Sequence, residues 1–313
     1  MASKPLVTIN LVVHNGERYI RHCLAAVKSQ TYSNLEINVF DNNSTDLTRE
    51  ITAREFPSYN LIAHSQNLGM WPGQETALQY SHGEYIVALS VDVMLDKNFV
   101  QEAVWAFSRH PHTGAIQAKV YQYDITKLGT GNRKLENKII DTCGFKIFRS
   151  RQMGNIGHGE SDQGQFEVEK DIFGVEGAVP VFQREAFEDC RIENYIADPD
   201  YFWYGDDFDI AWRMRLFGWD QWYIPSLIAY HDRSTTKGQA RSLGEHLSRL
   251  GKRRQIPIKK RRLDWSNVRF TIIKNDYIIN VLKDLPHIVI REIAVFLYTL
   301  LFEPAVFLEL GRF

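Results

Sequence analysis

The stretch Val7-Thr8-Ile9-Asn10-Leu11-Val12-Val13-His14-Asn15-Gly16 decides the fold class. Its first seven residues form a largely apolar, β-branched run of the kind that fills a buried strand. The polar His14 and Asn15 and the small Gly16 follow at once, which is typical of a strand that ends in a loop. We therefore predict a buried strand over residues 7–13, with a polar loop at its carboxyl end.

Strand-like and helix-like segments alternate through the first hundred residues. Ile20, Leu24 and Val27 share one face of a predicted helix over residues 17–30. The other segments are predicted strands at 35–40, 61–63 and 85–89 and predicted helices at 46–55 and 72–81. Strands and helices that alternate with short connections are typical of a mostly parallel sheet flanked by helices. The predicted fold class is therefore α/β.

Four polar clusters follow the predicted strands. They are His14-Asn15-Gly16, Asp41-Asn42-Asn43-Ser44, Asn67-Leu68-Gly69 and Ser90-Val91-Asp92. In open α/β sheets, ligands bind beyond the carboxyl ends of the strands. We expect all four clusters to line one crevice.

The overall charge balance argues against a general nucleic-acid binder. The chain has 313 residues, with 37 Lys and Arg against 38 Asp and Glu, whereas nucleic-acid-binding proteins usually carry a basic excess. Three distant cysteines, Cys23, Cys143 and Cys190, indicate buried free thiols in a reducing compartment. The first residues lack the apolar stretch of a secretory signal, so the expected location is cytoplasmic.

The second half of the chain changes character twice. Residues 120–170 are predicted to form loops or a hairpin insertion, 173–182 a strand, and 201–218 a helix. Eight Lys or Arg residues and no acid then lie in the segment from Arg249 to Leu263. Because the net charge of the chain is −1, the rest of the chain has a net charge of −9. Apolar helical segments are predicted at 277–285 and 288–310.

These last segments suit a membrane surface better than a membrane crossing. The longest uncharged stretch, Ile293 to Phe302, has ten residues, whereas a spanning helix needs about 20. An amphipathic helix beside a basic segment is suited to an anionic bilayer surface. The alternative is that the helices pack on the rest of the protein and the basic run is a solvated linker.

Three groups of acidic or basic residues are candidates for chemistry. Asp92 follows a buried strand, where its carboxylate could ligate a divalent cation or simply cap a turn. Asp206, Asp207 and Asp209 crowd three carboxylates into four residues, which raises carboxyl pKa values towards those of a general base. Asp209 is also four residues from Arg213, the spacing of a structural helix ion pair. His231 could ligate a metal or serve as a structural hydrogen-bond donor.

Taken in order, these motifs resemble the family 2 glycosyltransferases of GT-A fold. The resemblance covers roughly residues 5–235 and includes residues 7–20, 40–46, 67–69, 90–92, 206–213 and His231. Within the family, the chain is most similar to bacterial rhamnosyltransferase-like enzymes. The resemblance implies a Rossmann-like GT-A domain over residues 1–248, with a nucleotide-binding half (1–100) and an acceptor half (101–248), followed by a basic and amphipathic helical extension (249–313).

The resemblance also implies a role for each motif. The nucleotide-sugar would bind to His14, Asn15, Asp41, Asn67, Gly69 and Ser90. Asp92, with His231, would hold Mg²⁺ or Mn²⁺ on the diphosphate. Asp207, beside Asp206, would be the base that activates an acceptor hydroxyl. The implied activity is inverting transfer of a sugar, with dTDP-rhamnose as one donor, to a glycan or lipid-linked glycan in surface polysaccharide synthesis, at the inner face of the cell membrane.

Three departures from the family pattern leave alternatives open. Ser90 replaces the first acid of the metal motif, Asp206 replaces a common Glu, and Gln74 and Glu75 stand where an Asn is common in the rhamnosyltransferase-like subgroup. The alternatives are a sugar nucleotidyltransferase and a non-catalytic, glycosyltransferase-like binding subunit. The sequence does not specify an oligomeric state.

Overall fold

A mixed sheet of ten strands lies at the centre of the residues that the computed structural model describes, 4–125, 138–201, 205–232 and 256–312. Its main order is β3-β2-β1-β4-β11-β6-β12-β10, with β5 beside β12 and β7 beside β6. A separate hairpin contains β8 and β9. The strands are β1 (Val7–Val13), β2 (Leu35–Asp41), β3 (Asn60–Ala63), β4 (Tyr85–Ser90), β5 (Val93–Leu95), β6 (Thr113–Gln122), β7 (Ile140–Thr142), β8 (Phe145–Ile147), β9 (Met153–Asn155), β10 (Lys170–Asp171), β11 (Val181–Gln183) and β12 (Asp220–His231).

Helices flank this sheet, and more helices follow it. They are α1 (Ile20–Lys28), α2 (Thr48–Glu55), α3 (Met70–Leu78), α4 (Phe99–Arg109), α5 (Arg184–Asp189), α6 (Asp206–Leu216), α7 (Ile258–Asn275) and α8 (Ile278–Phe302), followed by a 3₁₀ helix at Pro304–Arg312. The α/β fold class and the C-terminal helical extension are confirmed.

The long strands run in one direction. The adjacent pairs of β3, β2, β1 and β4 are parallel, and so are β6 and β12. Because β11 is antiparallel to both β4 and β6, β4 and β6 point the same way. The carboxyl ends of β1, β2, β4 and β12 therefore share one edge of the sheet.

Strand β1 occupies the place predicted for it. All seven of its residues are buried, and it pairs with β2 on one side and β4 on the other. Its apolar side chains pack with α1 and α4 on one face of the sheet. On the opposite face, a second core contains Trp71, Phe182, Phe187 and Met214. The cysteines are buried and free, as predicted.

Two segments of the second half differ from expectation. The strand predicted at 173–182 is limited to β11, because residues around Gly174 pack against α6: a Cβ on Gly174 would lie 2.5 Å from Cβ of Ala211. The helix predicted from Tyr201 begins only at Asp206, after Gly205 with φ of +87°, a left-handed conformation that glycine adopts without strain.

The two apolar helices predicted in the extension form one helix. Pro286 lies inside α8, where it removes one backbone hydrogen bond, to the carbonyl of Leu282. Both residues are exposed, so water can hydrate that carbonyl. The basic residues Lys259, Lys260, Arg261 and Arg262 lie near the start of α7, whereas Arg249, Lys252, Arg253 and Arg254 lie outside the described residues, as does the predicted boundary at residue 248.

Candidate active site

The predicted site residues gather along the shared edge of the sheet. Register pairs Val13 of β1 with Asp41 of β2, and Val12 with Ser90 of β4. Asp92 follows β4, and His231 is the last residue of β12. The residues that were predicted to line one crevice therefore lie at one edge of the sheet.

Asp41 is a fully buried carboxylate at this edge. Its Oδ2 accepts a hydrogen bond from the backbone N–H of Ser44 (3.1 Å) and pairs with Nε of Arg49. Its Oδ1 is also buried and has no hydrogen-bond partner among the described residues. An unsatisfied buried acceptor costs about 1–3 kcal/mol. Asp41 is thus prepared to accept a hydrogen bond from a ligand.

His14 and Asn15 hold the two loops of this region together. The Nδ1–H of His14 donates to the carbonyl of Asn42 (2.9 Å), and Oδ1 of Asn15 accepts the backbone N–H of Thr45 (2.8 Å). Asn15 has φ of +52°. At Gly16, a Cβ would lie 2.4 Å from Cγ2 of Val13, so the loop can pass this close to β1 only with glycine there.

Asn42 places the Asn67–Gly69 loop next to Asp41. Its Oδ1 accepts the backbone N–H of Leu68 (2.7 Å), and its Nδ2 donates to the carbonyl of Gly69 (2.9 Å). Oδ1 of Asn67 accepts the N–H of Gly69 (3.0 Å). Asn67 and Gly69 are therefore brought to the same crevice as Asp41.

His231 lies between two carboxylates. Its Nδ1–H donates to Oδ2 of Asp141 (2.8 Å), and its Nε2 lies 3.3 Å from Oδ2 of Asp92. Burial lowers the pKa of His231, but Asp141 and Asp92 outweigh it and raise the pKa to about 10. Asp141 is fully buried, whereas Asp92 is 28% exposed. Asp92 is therefore the carboxylate of this group that a ligand can reach.

Asp206 and Asp207 begin α6. Burial, followed by the negative charges of Asp206 and Glu176, raises the pKa of Asp207 to about 8. The pKa of Asp206 is also raised, first by burial. The two carboxyl groups titrate as a pair, and a raised carboxyl pKa is what a general base requires.

The neighbouring acid, Asp209, is structural. Its Oδ2 pairs with Nε of Arg213 at 2.9 Å, and its Oδ1 accepts a hydrogen bond from Nδ2 of Asn275 at 2.7 Å. Both carboxylate oxygens are thus used within the protein. The helix ion pair predicted from the spacing of Asp209 and Arg213 is confirmed.

The segment Glu176–Ala178 connects the acidic pair to β4. The N–H of Gly177 donates to Oδ2 of Asp207 (3.2 Å). One residue later, the carbonyl of Ala178 accepts the N–H of Ser90 (3.1 Å). A short backbone segment thus joins the end of β4, where Asp92 follows, to the carboxylate of Asp207.

Asp92 and His231 present one oxygen and one nitrogen atom, a pair that fits a divalent cation accepting both kinds of ligand. A carboxylate oxygen and an imidazole nitrogen suit Mn²⁺, whereas Mg²⁺ favours oxygen ligands alone. Among the described residues, no group of three or more His, Cys, Asp or Glu side chains is arranged to hold a metal ion. Asp92 and His231 are therefore two candidate ligands at this place.

Sequence reasoning missed three residues that shape the site: Asn42 as a loop clamp, Asp141 and Glu176. In the sequence, Asn42 is recognisable only as part of a polar cluster. Asp141 lies in the segment predicted as loops or a hairpin, Glu176 lies in the strand predicted at 173–182, and their partners are far along the chain: His231 is 90 residues from Asp141. No local signal in the sequence could have indicated these contacts.

Comparison with known proteins identifies the family. Residues 8–190, more than half of the chain, match the family model described as glycosyl transferase family 2. The chain belongs to this family. The matched region contains all of β1 except Val7, and also Asp41, Ser90 and Asp92, whereas Asp206, Asp207 and His231 lie beyond it.

Individual relatives of this family 2 chain match shorter regions. Glycosyltransferase GlyA of Streptococcus pneumoniae serotype 4 is 32% identical over 98 residues, which are 30% of this chain and 14% of GlyA. An uncharacterized glycosyltransferase of Haemophilus influenzae is 28% identical over 37% of this chain and 37% of its own length. The chain thus spans well under two thirds of these relatives.

Solved structures share the fold at low sequence identity. A mannosyltransferase from Pyrobaculum calidifontis, in complex with GDP-Man and Mn²⁺, has a TM-score of 0.55 and 18% identity, over 91% of this chain and 69% of that one. GalNAc-T7 with UDP, GalNAc and Mn²⁺ has a TM-score of 0.57 and 14% identity, over 74% of this chain and 44% of that one. These similarities support the GT-A fold that the motifs indicated.

Proposed function

We propose that this protein is an inverting, metal-dependent glycosyltransferase that uses a nucleoside-diphosphate sugar. The acceptor is a hydroxyl of a glycan or lipid-linked glycan in surface polysaccharide synthesis, and dTDP-rhamnose is one candidate donor. The observation that carries the proposal is the arrangement along one sheet edge: a buried acceptor oxygen on Asp41, the Asp92–His231 pair, and the raised pKa of Asp207.

The nucleotide would occupy the crevice at the ends of β1 and β2. Oδ1 of Asp41 is suited to accept an N–H of the base, because it is buried and has no partner among the described residues. His14, Asn15, Asn67 and Gly69 form the loops around it, and Ser90 continues the edge towards the diphosphate. Gln74, at one of the departures from the family pattern, is buried and donates from Nε2 to the carbonyl of Asn10.

Asp92 and His231 would hold Mn²⁺ or Mg²⁺. When bound, the cation neutralises negative charge on the leaving nucleoside diphosphate. Its binding would displace the proton on Nε2 of His231, as metal ligation by imidazole requires. The complexes of the mannosyltransferase and of GalNAc-T7 contain Mn²⁺ and a nucleotide together, which supports a cation that binds with the donor.

Asp207 would remove the proton from the acceptor hydroxyl. Its raised pKa makes the ionised carboxylate a stronger base than an ordinary aspartate. The hydroxyl oxygen then attacks the anomeric carbon as the bond to the diphosphate breaks. One displacement from the opposite face inverts the anomeric configuration.

A donor screen tests this function. The protein is incubated with TDP-, UDP- and GDP-sugars and with Mn²⁺ or Mg²⁺, and release of nucleoside diphosphate is measured with and without glycan acceptors. Metal-dependent release from one donor supports the proposal. Release of pyrophosphate from a nucleoside triphosphate would identify a nucleotidyltransferase instead, and donor binding without turnover would identify a binding subunit.

We also propose that residues 249–313 attach the enzyme to the cytoplasmic face of an anionic membrane. Helix α8 has the length and the mean hydropathy (1.6) of a membrane-crossing helix, the one such helix in the described part of the chain. It is apolar on its outer side: Ile278, Ile279, Ile290 and Leu301 are each about 70% exposed. Such a face is suited to the interface of a bilayer.

The two acidic residues of α8 form ion pairs with arginines outside the helix. Asp284 pairs with Arg149 (2.7 Å) and Arg151 (2.8 Å), and Glu292 pairs with Arg269 of α7 (2.7 Å). Since these pairs hold α8 to the protein near its start and at its middle, we favour a helix that lies along the membrane surface over one that crosses it. Lys259 and Lys283, both exposed, add positive charge, worth about 1 kcal/mol each near an anionic surface.

A further inference from the structure

We propose that Asp141 is a positioning residue of the cation site. Its buried carboxylate accepts the Nδ1–H of His231 and thereby directs Nε2 of the same ring towards Asp92. This inference rests on the proposed metal-dependent transfer. It adds a residue that has no place in the motifs from which the site was predicted.

A β-bulge aims the Asp141 side chain. In the antiparallel pair of β6 and β7, Val120 pairs with Thr142 and the next residue, Tyr121, pairs with Ile140, so Asp141 is the extra residue between them. Bulges redirect side chains and are frequent beside active sites. Strand β6 also pairs with β12, where Gln122 is opposite His231. The bulge therefore lies beside the end of β12 that carries the imidazole.

A second histidine contacts Asp141 as well. Nδ1–H of His158 donates to the backbone carbonyl of Asp141 (2.6 Å), and the same nitrogen lies 3.5 Å from its Oδ1. His158 is buried. These contacts, together with the pairing of β7, restrict both the backbone and the carboxylate of Asp141, so that Oδ2 keeps its position towards His231.

This arrangement matches the chemistry of metal-ligating histidines. Such a histidine usually donates its other ring N–H to a carboxylate, which fixes the tautomer and the orientation of the ring, and loss of that partner typically costs 10–100-fold in metal affinity. The ring of His231 has Asp141 on Nδ1 and Asp92 near Nε2. Asp141 thus determines which nitrogen faces the diphosphate region.

A purely structural role for Asp141 gives a different expectation. If the carboxylate only held the β7 segment against β12, its loss would disturb the crevice as a whole. Nucleotide binding would then weaken to the same degree with and without a cation. The positioning role affects only the additional affinity that Mn²⁺ provides.

The experiment compares Asp141→Ala and Asp141→Asn with the wild type. Binding of UDP, and of GDP and TDP in parallel, is measured by calorimetry in Mn²⁺ and in EDTA. We expect the gain from Mn²⁺ to fall by about 10–100-fold in the Ala variant, and by less in the Asn variant, whose amide oxygen can still accept the Nδ1–H. Affinity in EDTA should stay the same.

Asp162→Asn is the matched control. Asp162 is also a buried carboxylate, held by Lys119 (3.2 Å) and by the hydroxyl of Tyr121. The Asp162→Asn variant should leave the gain in nucleotide affinity from Mn²⁺ unchanged. If Asp141→Ala does not fold, Asp141→Asn is compared with the wild type alone.

Equal losses in Mn²⁺ and EDTA, or an unchanged Mn²⁺ gain in both Asp141 variants, would overturn the positioning role. A wild type without any Mn²⁺ gain would refute the metal dependence of the proposed function, and the role of Asp141 with it.

Discussion

Nδ2 of Asn275 donates a hydrogen bond to Oδ1 of Asp209 at 2.7 Å, across 66 residues of sequence. Asn275 is the last residue of α7, and Asp209 lies in the first turn of α6, which also carries Asp206 and Asp207. Both partners are buried. The C-terminal extension is thus part of the support of the acidic pair.

Asn275→Ala should destabilise the protein. It leaves one oxygen of a buried carboxylate without its donor, at a cost of about 1–3 kcal/mol in the free energy of unfolding. Urea denaturation measures the change. Asn280→Ala, the same substitution at an exposed position of α8, is the control and should stay within about 0.5 kcal/mol of the wild type. Equal stability of the two variants would contradict the importance of this contact.

Asp207→Asn should abolish sugar transfer and preserve nucleotide binding. A general base contributes about 10²–10⁴-fold to the rate, and the amide cannot accept the hydroxyl proton. Turnover and UDP affinity are measured on the same preparation. Asp171→Asn, at an exposed acid paired with Arg215, serves as the control and should keep the wild-type rate. Normal turnover by the Asp207 variant would disprove the base assignment.

The rate of transfer should rise with pH. Because the pKa of Asp207 is raised to about 8, most of the carboxyl is protonated and inactive as a base near pH 6, and it ionises as the pH passes 8. Asp206→Asn removes a negative charge that helps to raise this pKa, so the rise should move to lower pH. Profiles of kcat against pH test both statements. A flat wild-type profile, or a shift to higher pH in the variant, would count against them.

Asp92→Ala should weaken UDP binding in Mn²⁺ but not in EDTA. The substitution removes one of the two proposed ligands, so the cation should no longer join the nucleotide to the protein as tightly. Calorimetry in the two buffers makes EDTA an internal control for the fold of the crevice. Unchanged affinity in Mn²⁺ would exclude Asp92 as a ligand.

Charges on the outer side of α8 should release the protein from vesicles. Ile290→Glu combined with Ile293→Glu places two carboxylates on a face where these side chains are 68% and 55% exposed. Sedimentation with vesicles of phosphatidylcholine and phosphatidylglycerol should show binding of the wild type and loss of binding by the double variant. Leu47→Glu, at a side chain 50% exposed on the other part of the protein, should bind normally. A wild type that stays in solution would refute membrane attachment.

Much of the fold was predictable because its signals are local. The run from Val7 to Val13 and the helical spacing of Ile20, Leu24 and Val27 both correspond to elements at the predicted places. Strand pairing in a parallel sheet brings the residues after each strand to one edge, so Asp41 and Ser90 could be grouped before their contacts were known. The ion pair of Asp209 and Arg213 was predictable for the same reason, since it spans one helical turn.

The sequence by itself determined the α/β class, the sheet edge at which the candidate site residues lie and the family to which the chain belongs, because strand and helix periods and ordered motifs are encoded in short stretches of sequence. Only the tertiary structure decided that Asp141 holds His231 and that Asn275 holds Asp209. It also decided that the acidic residues of α8 pair with arginines outside the helix, while many of its apolar side chains are exposed. These three features depend on contacts between distant segments: a bulge in β7, the packing of α7 on α6, and the arginines near β8 and β9. No local pattern specifies such contacts, since each side chain acquires its partner only when the chain has folded.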